Sequence, residues 1–210
     1  MTWNLPNAIT TVRLVLTPLL AWLLLEASTL ARALACGVFL VAAVSDLWDG
    51  YLARRRREVT DYGKLVDPVA DKLLLAAAVI PLYVIMRRSP SLAGLPIYDG
   101  VPLWAVLVLL GRELLITVLR SAAARRGRIV AALRSGKYKA FVQNLFLGGA
   151  LVWVTLRSAD VPRGGDAAPG MTLVGWFTAI SLTGALLLTL GSLAEYLVAF
   201  AHVLERRRAS

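Results

Sequence analysis

Long apolar segments constrain the fold of this chain more than any other feature of its sequence. A helix needs roughly 20 apolar residues to cross about 30 Å of hydrocarbon. Six segments of about this length follow one another, at residues 8–26, 32–49, 63–86, 101–123, 139–156 and 172–198. The sequence therefore predicts an all-α, polytopic membrane protein with six transmembrane helices.

The composition agrees with this class. Of the 210 residues, 58% are hydrophobic, which is too apolar for a soluble domain of this length. We expect one compact domain over residues 1–210. Trp3, Leu5 and Pro6 predict a short N-terminal segment at the membrane interface. The first residues carry no basic cluster and Arg13 interrupts the apolar stretch that follows, so we expect no cleaved signal peptide.

Basic residues are unevenly distributed between the two sides of the predicted bundle. The side of the first, third and fifth loops has few of them: Arg32, Arg87, Arg88, Arg157 and Arg163. Many more lie in or beside the second and fourth loops and at the C-terminus, including Arg54 to Arg57, Lys64, Arg125, Arg126, Arg128, Arg134, Lys137, Lys139 and Arg206 to Arg208. The positive-inside rule then predicts both termini on the cytoplasmic side. The net charge of +10 favours an anionic membrane surface and phosphate-bearing substrates as partners over nucleic acid.

Four aspartates form two pairs within residues 46–71. Asp46 and Asp49 are three residues apart and Asp67 and Asp71 four apart, so each pair would project from one face of a helix. Two such faces turned toward each other make a cage of carboxylate oxygens, which suits Mg²⁺ or Mn²⁺. Solvated acids at helix ends are the alternative. Ionisable groups near hydrocarbon are costly and usually mark function, which favours the metal site.

A second polar group lies in the fourth and fifth segments. Arg112 and Arg120 are eight residues apart, which keeps them roughly on one helix face. With Lys137 and Lys139 they predict a cationic pocket for an anionic acceptor. The alternatives are a snorkelling arginine or an internal pair between Arg112 and Glu113. The pair is disfavoured because adjacent residues on a helix do not face each other well.

The acidic motif resembles the signature of the CDP-alcohol phosphatidyltransferases, with Asp46-x-x-Asp49-Gly50-x-x-Ala53-Arg54 followed, after eight residues, by Gly63-x-x-x-Asp67-x-x-x-Asp71. The resemblance implies an enzyme of the bacterial cytoplasmic (inner) membrane that attacks a CDP-linked lipid with an alcohol and releases CMP. GRELLITVLR, GKYKAFVQ, NLPNAITTVR and LTLGSLAEYL are similar to the branch of that family whose acceptor is glycerol 3-phosphate. The donor would then be CDP-diacylglycerol, and homodimers are common in the family.

This resemblance also implies roles for individual residues. The four aspartates would hold two divalent cations, and Asp71 would be the base for the acceptor hydroxyl. The CDP-lipid would contact Asn7, Thr10, Gly50, Ala53, Arg54 and Gly63, with Arg13 also close to the nucleotide. The acceptor phosphate would contact Arg112, Arg120, Lys137 and Lys139.

Two alternatives to this function stay open at the level of sequence. The acceptor could instead be inositol phosphate, serine or phosphatidylglycerol, although a neutral or zwitterionic acceptor needs fewer cations than the second group supplies. A divalent-cation transporter would also place carboxylates in the membrane. A transporter would not need Arg54 at its fixed offset, nor the second cationic group.

Overall fold

A computed structural model of the chain describes residues 5–56, 61–125, 135–160 and 169–205. Of these, residues 5–9, 46–56, 61–65, 135, 137, 160, 169 and 201–205 are described by their backbone only. The described residues form six α-helices: α1 Leu5–Leu25, α2 Thr29–Arg56, α3 Asp61–Arg88, α4 Leu103–Arg125, α5 Ser135–Asp160 and α6 Pro169–Glu205. A single 3₁₀ turn, Pro90–Leu92, lies between α3 and α4. The predicted all-α class is confirmed, and the described residues form the predicted number of helices. That all six helices cross a membrane stays a prediction.

The helices extend beyond the predicted apolar segments. The first begins at Leu5, so Leu5 and Pro6 are continuous with the rest of α1, whereas Trp3 lies outside the described residues. The position of these residues at the membrane interface stays a prediction. Pro6 fits the start of α1 because the first turn of a helix has no use for its missing N–H. The second helix runs to Arg56, so Arg54, Arg55 and Arg56 lie at its end, beside the second loop. The helical backbone of α2 thus continues beyond residue 49, where the predicted apolar segment ends.

Three helices are long and apolar enough to cross a membrane, within Val66–Arg88, Tyr138–Ala159 and Gly170–Phe200, in the part of the chain that the structure describes. The other apolar helical stretches, Thr10–Leu25 and Thr29–Ser45, are shorter. Helix α4 carries charged residues in its middle, which lowers its mean hydropathy. The length and composition of these helices indicate a membrane protein.

Contacts at one end of the bundle show how the helices are arranged. Trp153, late in α5, donates from Nε1 to the carbonyl oxygen of Leu92 at 3.0 Å, in the connection between α3 and α4. Arg32, early in α2, donates to the hydroxyl of Ser158 near the end of α5. The start of α2 and the ends of α3 and α5 therefore share one end of the bundle. The opposite end contains the N-terminal halves of α3 and α5.

Helices α5 and α6 pack closely at Gly149. A Cβ atom at this position would lie 2.8 Å from Thr178 Oγ1 and 3.0 Å from Cδ1 of Phe177. The Thr178 hydroxyl cannot turn away freely, because it donates to the carbonyl oxygen of Val174 at 2.8 Å. At Gly148, by contrast, the nearest atom to such a Cβ is 3.8 Å away, an ordinary contact. Small residues at such positions let helix backbones approach each other.

We expect Gly149→Ala to destabilise the protein and Gly148→Ala to leave it unchanged or slightly more stable. Overpacking a tight interface costs about 1–3 kcal/mol, whereas alanine in a helix gains about 1 kcal/mol over glycine. The measurement is the thermal unfolding midpoint of both purified variants in one detergent. Equal midpoints for the two variants would contradict the close packing at Gly149.

Candidate active site

The first part of the site is a contact between α1 and α3. Thr10 Oγ1 donates to Asp67 Oδ1 at 2.8 Å, and Arg13 Nη1 donates to Asp71 Oδ1 at 3.0 Å. The Arg13 side chain is completely buried, whereas that of Asp71 is 58% exposed. Both contacts advance in the same direction along the two helices, so α1 and α3 are parallel here. Helix α1 therefore orients the carboxylates of Asp67 and Asp71.

The contact between α1 and α3 gives α1 a role that was not predicted. The resemblance implies that Thr10 and Arg13 lie close to the nucleotide, and in the structure each also donates a hydrogen bond to a carboxylate of α3. Thr10 and Arg13 lie on one face of α1, and Asp67 and Asp71 lie on one face of α3. The two pairs can therefore contact each other where these faces meet. The spacing was visible in the sequence, whereas the opposition of these two faces was not. Binding of the nucleotide by Thr10 stays a prediction.

The rest of the predicted metal and CDP-lipid site lies outside the described side chains. The helical backbone alone is described for the remaining predicted residues: Asn7, Asp46, Asp49, Gly50, Ala53, Arg54 and Gly63. Among the described side chains, no three of the types His, Cys, Asp and Glu group together as metal ligands. Helix α2, which carries Asp46 and Asp49, packs against α1, the helix that orients Asp67 and Asp71. The cage of four carboxylates stays a prediction.

A cavity of about 580 Å³ opens between α3, α4 and α5. Its size is within the usual range for small-molecule sites. Apolar side chains, including Leu74, Leu75 and Leu147, form part of its wall. Its charged lining comes from all three helices: Asp71, Lys72, Arg112, Glu113, Arg120 and Lys139. The cavity thus brings one predicted metal-binding carboxylate together with three of the four predicted acceptor cations.

One cation of α4, Arg112, and one of α5, Lys139, meet at the carboxylate of Glu113. Its Oε1 accepts a hydrogen bond from Arg112 Nη1 at 3.0 Å and another from Lys139 Nζ. All three side chains are largely buried, with 12% of Arg112, 19% of Glu113 and 6% of Lys139 exposed. Two cations on one carboxylate leave an excess of one positive charge. A buried charge excess of this kind is costly unless a further anion compensates it.

Arg112 and Glu113 form an ion pair, contrary to the prediction from their adjacent positions. Adjacent residues do start in different directions around a helix. Both side chains are long, however, and both line the cavity, where Glu113 also accepts a hydrogen bond from Lys139. The pair does not remove Arg112 from the cavity. Lys139 lines the same cavity, whereas the side chain of Lys137 lies outside the described residues.

Two residues of α6 contact the arginines of α4. Arg112 donates from Nη2 to Ser192 Oγ at 3.1 Å, and the guanidinium of Arg120 lies over the ring of Tyr196, 5.9 Å from its centroid. Neither Ser192 nor Tyr196 was predicted as a site residue. Their spacing of four places them on one face of α6, but nothing in the sequence shows that this face is turned toward α4.

Comparison with known proteins gives concordant results. The family model described as CDP-alcohol phosphatidyltransferase matches residues 3–190 of the chain. A probable phosphatidylglycerophosphate synthase of Mycobacterium tuberculosis is 37% identical over 148 residues, which cover 69% of this chain and 64% of that relative. The match thus spans less than two thirds of the mycobacterial protein.

Two further relatives match a larger share of their own length. The CDP-diacylglycerol--glycerol-3-phosphate 3-phosphatidyltransferase of Bacillus subtilis is 34% identical over 162 residues, 71% of this chain and 77% of the relative. The protein of the same name from Rickettsia typhi is 35% identical over 140 residues, 67% of this chain and 71% of the relative.

Proposed function

Because this chain belongs to the CDP-alcohol phosphatidyltransferase family, we propose that it transfers the phosphatidyl group of CDP-diacylglycerol to glycerol 3-phosphate and releases CMP. One observation carries this proposal. The carboxylate of Asp71 and the cations Arg112, Arg120 and Lys139 line the same cavity. A site with a carboxylate at one wall and a cationic cluster at another suits an acceptor that has a hydroxyl at one end and a phosphate at the other.

On the donor side, two divalent cations, Mg²⁺ or Mn²⁺, would be held by Asp46, Asp49, Asp67 and Asp71. The described part of this donor set fits such ions, because Asp67 and Asp71 offer hard carboxylate oxygens from one face of α3. When bound, the ions neutralise the pyrophosphate of the donor and the charge that develops on CMP. Around them, the CDP-lipid would contact Asn7, Thr10, Gly50, Ala53, Arg54 and Gly63.

On the acceptor side, the phosphate of glycerol 3-phosphate is bound by Arg112, Arg120 and Lys139, with Lys137 beside them. Arginine suits this role because its planar group of N–H donors matches the oxygens of a phosphate. The excess positive charge around Glu113 favours a dianionic acceptor over a neutral or zwitterionic one. An acceptor without a phosphate would leave that charge uncompensated.

The reaction is an in-line displacement at the β-phosphorus of CDP-diacylglycerol. The primary hydroxyl oxygen of the acceptor bonds to this phosphorus, its proton passes to Asp71, and the bond to the CMP oxygen breaks with its electron pair. The exposure of Asp71 toward the cavity lets it reach the hydroxyl. The buried guanidinium of Arg13 holds one carboxylate oxygen in place.

The direct test is the release of CMP from CDP-diacylglycerol by the purified protein, with and without glycerol 3-phosphate. We expect release that depends on glycerol 3-phosphate and yields phosphatidylglycerophosphate. Inositol phosphate, serine, phosphatidylglycerol and glycerol are the competing acceptors in parallel reactions. Absence of release with every acceptor would exclude the function, whereas equal rates with glycerol would exclude the acceptor only.

The proposed placement is a single domain with six membrane spans in the bacterial cytoplasmic membrane. Helices α1, α2 and α4 would cross it together with the three longer apolar helices. Charged residues in these helices can be accommodated where they face the bundle interior, as Arg13 does at 0% exposure and Arg112 does at 12%. The cavity and both termini would face the cytoplasm, where CMP can leave.

We expect Arg56→Cys to be labelled only from the cytoplasmic side and Gly164→Cys only from outside, because lysine and arginine accumulate on the cytoplasmic side of membrane proteins. Both substitutions would be made in a Cys36→Ala background and probed with a membrane-impermeant maleimide in intact and opened cells. The reverse pattern would place the cavity on the wrong side for CMP release.

A further inference from the structure

We infer that Ser192 and Tyr196 of α6 are positioning residues for the acceptor site. They hold Arg112 and Arg120 in place before the acceptor binds, and thereby strengthen selectivity for an acceptor with a phosphate. This inference rests on the proposed function. It assigns a role to α6, none of whose described side chains lines the cavity.

Ser192 restrains Arg112 from a buried position. Ser192 is only 3% exposed, and its hydroxyl donates a hydrogen bond to the carbonyl oxygen of Thr189 at 3.0 Å. Because the hydroxyl proton is used there, an oxygen lone pair is left to accept from Arg112 Nη2 at 3.1 Å. Glu113 accepts from Nη1 of the same guanidinium. Contacts at two of its nitrogens limit the rotamers of Arg112.

Tyr196 supports Arg120 in a different way. The residue is 2% exposed, and its ring stacks against Phe200 with centroids 6.5 Å apart. The guanidinium of Arg120 lies over this ring, an arrangement that attracts the cation without using its N–H donors. The donors at the edge of Arg120 stay available for phosphate oxygens. The Tyr196 hydroxyl is buried and has no hydrogen-bond partner among the described residues. The contact with Arg120 is therefore made by the aromatic ring and not by the hydroxyl.

The spacing of the two supports explains how two distant arginines can serve one ligand. Arg112 and Arg120 are eight residues apart, or about 12 Å along α4, whereas Ser192 and Tyr196 are four apart, or about 6 Å along α6. The two supporting residues are thus closer together along α6 than the two arginines are along α4. Groups already held in their binding positions lose less conformational entropy when the ligand arrives.

The test compares Ser192→Ala and Tyr196→Leu with Tyr196→Phe, which keeps the ring. Ser181→Ala is the matched control, because Ser181 is a buried serine of α6 whose hydroxyl bonds to carbonyls of its own helix. For each variant, the KM for glycerol 3-phosphate, the KM for CDP-diacylglycerol and kcat would be measured. Direct binding of glycerol 3-phosphate would be measured by calorimetry on the solubilised protein.

We expect Ser192→Ala and Tyr196→Leu to raise the KM and the Kd for glycerol 3-phosphate about three- to tenfold. The KM for CDP-diacylglycerol should change less than about twofold, since the donor is bound elsewhere. Tyr196→Phe and Ser181→Ala should resemble the wild type. The preference for glycerol 3-phosphate over glycerol should fall in the two affected variants by the same factor.

Three results would overturn this inference while leaving the proposed function intact. They are unchanged acceptor binding in Ser192→Ala and Tyr196→Leu, equal weakening of donor and acceptor, and a Tyr196→Phe variant as defective as Tyr196→Leu. A wild-type protein that neither binds nor uses glycerol 3-phosphate would overturn the acceptor assignment, and the inference with it. The wild-type measurement therefore separates the two failures.

Discussion

Replacing Asp67 by asparagine should lower CMP release at least about a hundredfold, because charge stabilisation by bound metal ions is worth several kcal/mol. The substitution keeps an oxygen that can accept from Thr10 Oγ1, a contact of 2.8 Å in the wild type. It removes the negative charge that a divalent cation needs. Folding should therefore survive, with fewer carboxylates left to repel each other. The same loss of activity is expected for Asp49→Asn.

The measurement is kcat at ordinary Mg²⁺ concentration, with elution on gel filtration as the check of folding. Asp99→Asn is a matched control, because Asp99 makes a structural contact in the connection between α3 and α4, where Oδ1 accepts from the Gly94 backbone N–H at 3.0 Å. It should keep full activity. Near-normal turnover of a well-folded Asp67→Asn protein would exclude the role of this carboxylate as a metal ligand.

The second large effect is expected at the acceptor site. Arg112→Ala and Arg120→Ala should each raise the KM for glycerol 3-phosphate, or lower kcat/KM, by about ten- to a hundredfold. The loss of a charge-assisted partner for the phosphate costs roughly 1.5–3 kcal/mol. For Arg112, the change also leaves Glu113 with Lys139 as its described partner. Binding of CDP-diacylglycerol should barely change.

Two further variants test whether the effect is local. Arg112→Lys should recover only part of the loss, because an ammonium group cannot reproduce the planar two-point grip of arginine. Arg125→Ala removes an exposed cation at the end of the same helix and controls for general attraction of the anionic substrate. A variant set in which donor and acceptor binding weaken together would show that these arginines are structural or belong to the nucleotide site.

The contact between Arg13 and Asp71 links the fold to the proposed chemistry. A completely buried arginine is costly unless a counter-charge accompanies it. In this chain, the counter-charge includes the carboxylate of Asp71 at 3.0 Å. The same carboxylate lines the cavity where the acceptor hydroxyl would bind. One interaction therefore both joins α1 to α3 and holds the proposed base.

The sequence by itself determined the all-α class, the six helices that the described residues form and the identity of the charged groups within them. These are local properties. Hydropathy over about 20 residues reflects the length needed to cross a membrane, and a spacing of three, four or eight residues places side chains on one face of the same helix. The ends of helices were harder to predict from the sequence, because α2 continues to Arg56 beyond the end of its apolar stretch.

Only the tertiary structure decided which helix faces meet. It placed Thr10 and Arg13 against the carboxylates of α3, and Ser192 and Tyr196 behind the arginines of α4. It also joined Arg112 to Glu113, which helical spacing alone argued against. Residues far apart in the chain have no spacing that relates them. Their contacts follow from the packing of whole helices, to which side chains along the entire interface contribute.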